Sequence, residues 1–301
     1  VPPDASGADP VLSAAKASIR PGVPYTDAEF VCSKKDAAKV LYIGQPPAKA
    51  KTVDNWLRLG ALGGSGQIAK AASPITPRDG VDDVFALCAL AMVSTRADLL
   101  ERIFPWSPEG SGAHAVRIFK DGDWRMVVVD DLLPSHGKSQ LAYSSNASPG
   151  DGPVAIYLKA LAKLYGNYEA ISGGRVGGAL EDMTGGFSEK IYLRDEVARV
   201  KQSPAIQLGQ LWQQLKGLLD AGHLLGAGFK AKHAAADSEK PAVVEVATRS
   251  LVHPVLELRE VQGLQMVRLS LQYASTAIKR EYHGPWSNTA SEWQTSPAVA
   301  A

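Results

Sequence analysis

Six glycines crowd into the fourteen residues from Gly173 to Gly186 (Gly173, Gly174, Gly177, Gly178, Gly185 and Gly186). The hydrophobic pattern differs on their two sides. Before them the long apolar segments are helix-like, as in Asp82–Val93 and Pro153–Tyr165; well after them, Val243–Ala247, Val255–Val261 and Gln265–Leu271 are strand-like. Glycine at this density predicts a bend or crossover where one lobe passes into the next. The expectation is an α+β protein of two lobes, a helical one and a β-rich one.

Within that frame the local signals are specific. Asp82–Val93 is apolar almost all round, the pattern of a helix buried inside a lobe. Ser94 or Thr95 is the predicted N-cap of a second, short helix carrying Leu99, Leu100 and Ile103. His114–Lys120 and Trp124–Asp130 read as strands, joined by Asp121-Gly122, a strong hairpin turn pair. Pro153–Tyr165 reads as a helix with Pro in its first turn and Gly166 at its end, and Leu208–Leu219 as another, ended by Gly222. Residues 1–24 hold five prolines and predict an extended arm. Residues 25–80 predict loops and short helices, Lys230–Pro241 a polar surface loop, and 295–301 a Ser/Ala-rich tail.

Composition excludes several classes. The 301 residues carry 32 Lys and Arg against 31 Asp and Glu, so net charge gives no overall pull towards nucleic acid or an anionic membrane. No run of 18 apolar residues marks a transmembrane helix. The chain opens Val-Pro-Pro-Asp with no signal-peptide pattern, which reads as a fragment of something longer. Its two cysteines, Cys32 and Cys88, make neither a disulfide framework nor a zinc site; the expected compartment is the cytoplasm. There is no G-x-x-x-x-G-K-[ST] phosphate loop and no H-E-x-x-H metal helix.

Three stretches are more specific than any pattern. Asp123 to Pro134 reads DWRMVVVDDLLP and resembles the calpain segment G-x-W-x-x-V-V-V-D-D-x-L-P. Ala162 to Gly174, AKLYGNYEAISGG, is similar to the calpain A-K-L-x-G-S-Y-E-A-L-S-G-G. Leu180 to Gly186, LEDMTGG, is similar to the L-E-D-F-T-G-G that follows in that family. Tyr25 to Phe30 (YTDAEF), Asp54 to Arg58 (DNWLR), Glu281 to Asn288 (EYHGPWSN) and Trp293 extend the resemblance, in order, over residues 25–294. The resemblance implies a papain-like fold: a helical lobe over 25–174, a β-rich, barrel-like lobe over 175–294, and a cleft between them that binds extended peptide. It also implies a catalytic cysteine, histidine and asparagine.

Carried over residue by residue, that machinery is missing. The calpain nucleophile segment Q-G-x-L-G-D-C-W aligns with Arg78 to Phe85, which puts Val84 at the cysteine, Arg78 at the oxyanion-hole glutamine and Phe85 at the tryptophan. The histidine motif aligns so that Leu251 holds the catalytic position, with His253 about 7 Å further along the same strand face. The asparagine motif puts Leu271 at the orienting position. Val, Leu and Leu neither ionise nor donate nor accept, so the thiolate, the imidazole and its orienting partner are all absent. Such aliphatic groups pack together without the roughly 1–3 kcal/mol cost of a buried unpaired polar group; a small apolar cluster is expected there. Cys88, one turn beyond Val84, reads as a core thiol. Arg78 is either a cation at the cleft mouth that favours acidic peptides or an exposed Arg before a turn.

Calcium, which the family resemblance also implies, is disfavoured, because the acidic residue of the family helix L-L-E-K-A-Y-A-K is Leu158 here; no other cofactor is expected. The sequence thus points to a pseudoprotease that binds other proteins, with cytoskeletal or flagellar association implied by the resemblance. The alternatives are a calcium-dependent endopeptidase with an unrecognised nucleophile and a regulator that shields calpain substrates.

Overall fold

The fold is read from a computed structural model that describes residues 9–44, 53–63, 75–76, 82–146, 152–193, 204–228, 252–261, 263–270 and 291. Asp9 starts the first helix, α1 (Pro10–Ser18): its carboxylate accepts from the Val11 and Leu12 amides, and Pro10 stands in the first turn, the N-terminal arrangement expected of a capped helix. Residues 10–18 of the proline-rich arm are therefore helical, where an extended segment was expected, while residues 19–24 are not; a capping Asp and several alanines outweigh the proline count there. Leu12 and Ala15, three apart on one face, bury against Ala115 and Val128. That contact contributes about 2–3 kcal/mol.

Next come α2 (Ala37–Leu41), β1 (Asn55–Arg58), a 3-10 turn over Leu59–Leu62, and β2 (Ile75–Thr76). Then follows α3 (Val84–Val93), buried on every side except at Phe85. Ser94 and Thr95 do not cap the next helix. Their hydroxyls turn back to the Ala91 and Met92 carbonyls at 2.9 and 2.7 Å and so finish α3. The following helix, α4 (Ala97–Ile103), begins after Arg96 with no side-chain cap.

β3 (Ala113–Lys120) and β4 (Asp123–Asp130) pair antiparallel in full register. Asp121 and Gly122 both have positive φ, 53° and 80°, as a two-residue type I′ turn requires. β5 (Leu132–His136) pairs with β1 and with β6 (Gln140–Leu141), and β7 (Ser145–Asn146) pairs with β2. The helices α5 (Pro153–Tyr165) and α6 (Val176–Thr184) complete this part of the chain.

Buried charge fixes how these elements meet. Lys159 of α5 is wholly enclosed. Its ammonium pairs with Asp130 and donates to the Leu132 carbonyl at 2.7 Å. Asp130 also accepts from the Asp27 amide at 2.8 Å and the Leu132 amide at 3.0 Å. One turn along α5, Lys163 donates to both Asp27 oxygens, to the Val128 carbonyl and to Glu29. Burial opposes the Lys163 charge, but these carboxylates outweigh it and raise its pKa. Arg58 of β1 meets Asp131 at 2.6 Å and the Tyr25 carbonyl at 2.7 Å.

By compactness the chain divides into Val1–Glu189 and Lys190–Ala301. Within the first of these units α6 packs on α3 and β3. Two of the glycines of the cluster sit at close contacts. A Cβ on Gly174 would lie 2.6 Å from the Phe85 ring, and one on Gly185, whose φ is +66°, 2.7 Å from Trp124. In the second unit α7 (Pro204–Gln207) and α8 (Leu211–Asp220) are separated at Gly209, φ +69°, which breaks the single helix expected over Leu208–Leu219. β9 (Val252–Val261) lies between β8 (Gly226–Gly228) and β10 (Leu264–Leu269), with a register shift at Arg268/Leu269. Val243–Ala247, Lys230–Pro241 and the 295–301 tail lie outside the described residues. The whole is α+β, and no described helix is long and apolar enough to cross a membrane.

Candidate functional site

The start of α3 is the point on which the sequence argument turned. Val84 is its first residue, 6% exposed. Two carboxylates precede it, where the positive end of the helix dipole favours negative charge. The carbonyl of Asp83 accepts from the Ala86 and Leu87 amides at 2.9 and 3.1 Å, while its side chain turns inward and accepts from Ser144 Oγ at 3.0 Å. Asp82 faces the loop before α6: the Gly173 amide donates to its carbonyl at 2.8 Å, and its own amide donates to Ser172 Oγ at 3.1 Å. Phe85 lies against Gly174. The helix start is thereby clasped by Ser172-Gly173-Gly174 on one side and by Ser144 on another.

No thiol joins this group. Cys88 is one turn further into α3 with no exposure, and Cys32 is 5% exposed. Burial pushes the Cys32 thiol up to about 11, against the partial relief given by Lys159. His114, in β3, is also deep in the first unit, with Nδ1 2.7 Å from Ser107 Oγ; burial first, and then the field of Lys159, lower it to about 4. In the second unit His253 sits in β9 opposite Ala227, and burial lowers its pKa despite the hydrogen bond its ring donates to the Ser270 backbone. Arg78, Leu251 and Leu271 lie outside the described residues, and with them the expected apolar cluster.

Leu158, at the acidic position of the family helix, is buried in α5 beside Leu133, Leu141 and Tyr168. It offers no oxygen to calcium. Among the described residues no three His, Cys, Asp or Glu side chains gather as metal ligands. Sequence reasoning missed the Asp83–Ser144 contact, made across 61 positions, and no local pattern signals it. The Ser172-Gly173-Gly174 clasp lay inside a stretch already singled out, and its glycines were the visible sign of a close approach.

The family described as calpain family cysteine protease matches residues 25–299. The calpain-type cysteine protease DEK1 of Arabidopsis thaliana is 30% identical over 92% of this chain and 13% of its own length. Calpain-5 of Mus musculus is 31% identical over 71% of the chain and 35% of itself. Calpain-8 of Homo sapiens is 30% identical over 90% and 37%. The chain thus spans little more than a third, at most, of the relatives named. With a match across nearly its whole length, the chain belongs to the calpain family of cysteine proteases.

Proposed function

We propose that this chain is a non-catalytic calpain-family module that binds other proteins. The observation that carries the reading is the state of its thiols. The chain has two cysteines, both buried, and burial pushes the Cys32 thiol up to about 11. The thiolate, not the thiol, is the nucleophile, and neither cysteine stands at the helix start that would activate one. Val84 occupying that start supports the same conclusion, as do the sequence assignments of Leu251, Leu271 and Arg78 to the histidine, asparagine and oxyanion positions. A site with no ionisable nucleophile and no base forms no acyl-enzyme.

Membership of a cysteine protease family favours the second reading, a calcium-dependent endopeptidase whose nucleophile is one of these two thiols. That reading requires Cys32 or Cys88 to reach the surface when calcium binds. The setting we propose for the binding role is cytoplasmic, on a cytoskeletal or flagellar partner. Its support is the resemblance of the sequence to triad-less calpain-like proteins. Recovery of the protein in the detergent-soluble fraction of its cells, with none on the cytoskeleton, would refute it.

The first experiment is labelling with iodoacetamide and with an epoxide probe of cysteine peptidases, with and without calcium, beside casein hydrolysis. The expected result is no stoichiometric labelling of the folded chain and no cleavage. Calcium-dependent labelling of Cys32 or Cys88 together with cleavage overturns the proposal in favour of the peptidase.

A further inference from the structure

The chain leaves α6 through a turn that is tied back to the helix twice. The Gly185 amide donates to the Glu181 carbonyl at 2.8 Å, and the Gly186 amide donates to Thr184 Oγ1 at 3.1 Å. Two residues on, Ser188 returns to α6: its amide and its hydroxyl both donate to Glu181 Oε1, at 3.1 and 2.6 Å. A Cβ on Gly177 would lie 2.5 Å from Ser188 Oγ, so the serine sits in a gap that this glycine leaves. Between the two ties stands Phe187. It is 91% exposed, more than any other large apolar side chain among the described residues. Residues 186–193 lie in no helix or strand, and by compactness the first unit ends within them, at Glu189. Tyr192, the next aromatic along, is 39% exposed and carries the Lys190 ammonium 4.6 Å from its ring centre.

We propose that the Phe187–Ser188 peptide bond is a processing site for an endopeptidase that selects a large aromatic side chain, and that the Glu181–Ser188 clasp guards it. Such an enzyme binds its substrate as an extended strand and seats the side chain before the cut in an apolar pocket. Phe187 is ready for the pocket as it stands, and Gly185 and Gly186 before it add no bulk. The extended strand is denied while Ser188 is folded back onto α6. Cleavage therefore waits on local opening of the clasp, and its rate follows the open population. Water adds across the bond and leaves a carboxylate on Phe187 and an amine on Ser188. The cut falls after α6, at an exposed connector of the kind where nicking concentrates, and severs no described helix or strand. In this role the chain is a substrate, whatever its own catalytic state.

The test is limited digestion of the full chain with chymotrypsin, followed by mass spectrometry for a new N-terminus at Ser188. The native chain should yield that terminus, and Phe187→Ala, a change at an exposed side chain, should abolish it. Two further variants open the clasp by different routes. Ser188→Ala removes the hydroxyl bond. Gly177→Ala pushes the serine away, although its methyl meets nothing else within 4 Å beyond its own helix and alanine suits a helix better than glycine. Both should produce the Ser188 terminus at least fivefold faster than the native chain, with cleavage elsewhere unchanged and the Tm of Gly177→Ala no lower than native. A native chain that shows no Ser188 terminus after its other sites are cut, or a terminus that persists in Phe187→Ala, overturns the site. Equal rates in the native chain and both clasp variants overturn the guard.

Discussion

Lys159 and His114 are the residues whose burial has the largest measurable consequences. Lys159 and Asp130 are sealed from solvent together. Removing one charge strands the other, at a cost of about 3–5 kcal/mol, whereas a pair replaced by apolar groups often loses little. Lys159→Met should therefore lower the urea midpoint steeply, and Asp130→Asn added to it should recover part of the loss; a double variant no more stable than the single one would show that the carboxylate is satisfied without its lysine. His114 responds to pH. Its folded pKa, about 4, lies below the ordinary 6.5 of the unfolded chain, so between these values the unfolded state binds more protons. Stability is then full above 6.5 and falls as pH drops towards 4. The difference between pH 7 and pH 5 is about 2 kcal/mol. Urea unfolding at the two pH values measures it, and His114→Gln should flatten that part of the profile.

At the scale of elements, α3 and the loop before α6 lie so close at Gly174 that a Cβ there would meet the Phe85 ring at 2.6 Å. Gly174→Ala should cost about 1–3 kcal/mol by overpacking, and Phe85→Ala in the same chain should offset part of it; calorimetry of the two singles and the double gives the coupling. This is also where the sequence was partly legible. α3, the β3–β4 hairpin and α5 were readable because each carries its own local signal: an apolar run, an Asp-Gly turn, and a Pro and a Gly at the two ends. β1, β5 and β8 carry none. β1 and β5 find each other across more than seventy positions, and Gly226–Gly228 has no alternating pattern to read. In the glycine cluster, sequence shows that a glycine is present but not which ring presses against it. The start of α3 was found through resemblance, and its Val84 is a buried helix residue. Its partners Ser144 and Ser172 come from elements brought together only by the fold.

For the molecule as a whole, the proposed loss of catalysis makes a strict statement about repair. Val84→Cys returns a thiol to the start of α3 but supplies neither base nor orienting amide. Casein cleavage should stay at background with and without calcium, while iodoacetamide labelling of the new thiol becomes measurable. Cleavage by that single variant would mean that a working histidine is already in place and that the assignment of Leu251 is wrong. The chain's share of its relatives, 13% of DEK1 and 35% of Calpain-5, makes partner capture a question for the protein in its natural context.

The bonds that hold Asp27 also set a timetable. Its amide reaches Asp130 across 103 positions, and its carboxylate reaches Lys163 across 136. On the ribosome the residues around Asp27 are made early, yet their charged partners emerge only when α5 has been synthesised. Closing so long a loop is slow. The residues around Asp27 are therefore made well before the partners that fix them, and until Lys163 arrives they are a part of the nascent chain that a chaperone would find unclaimed.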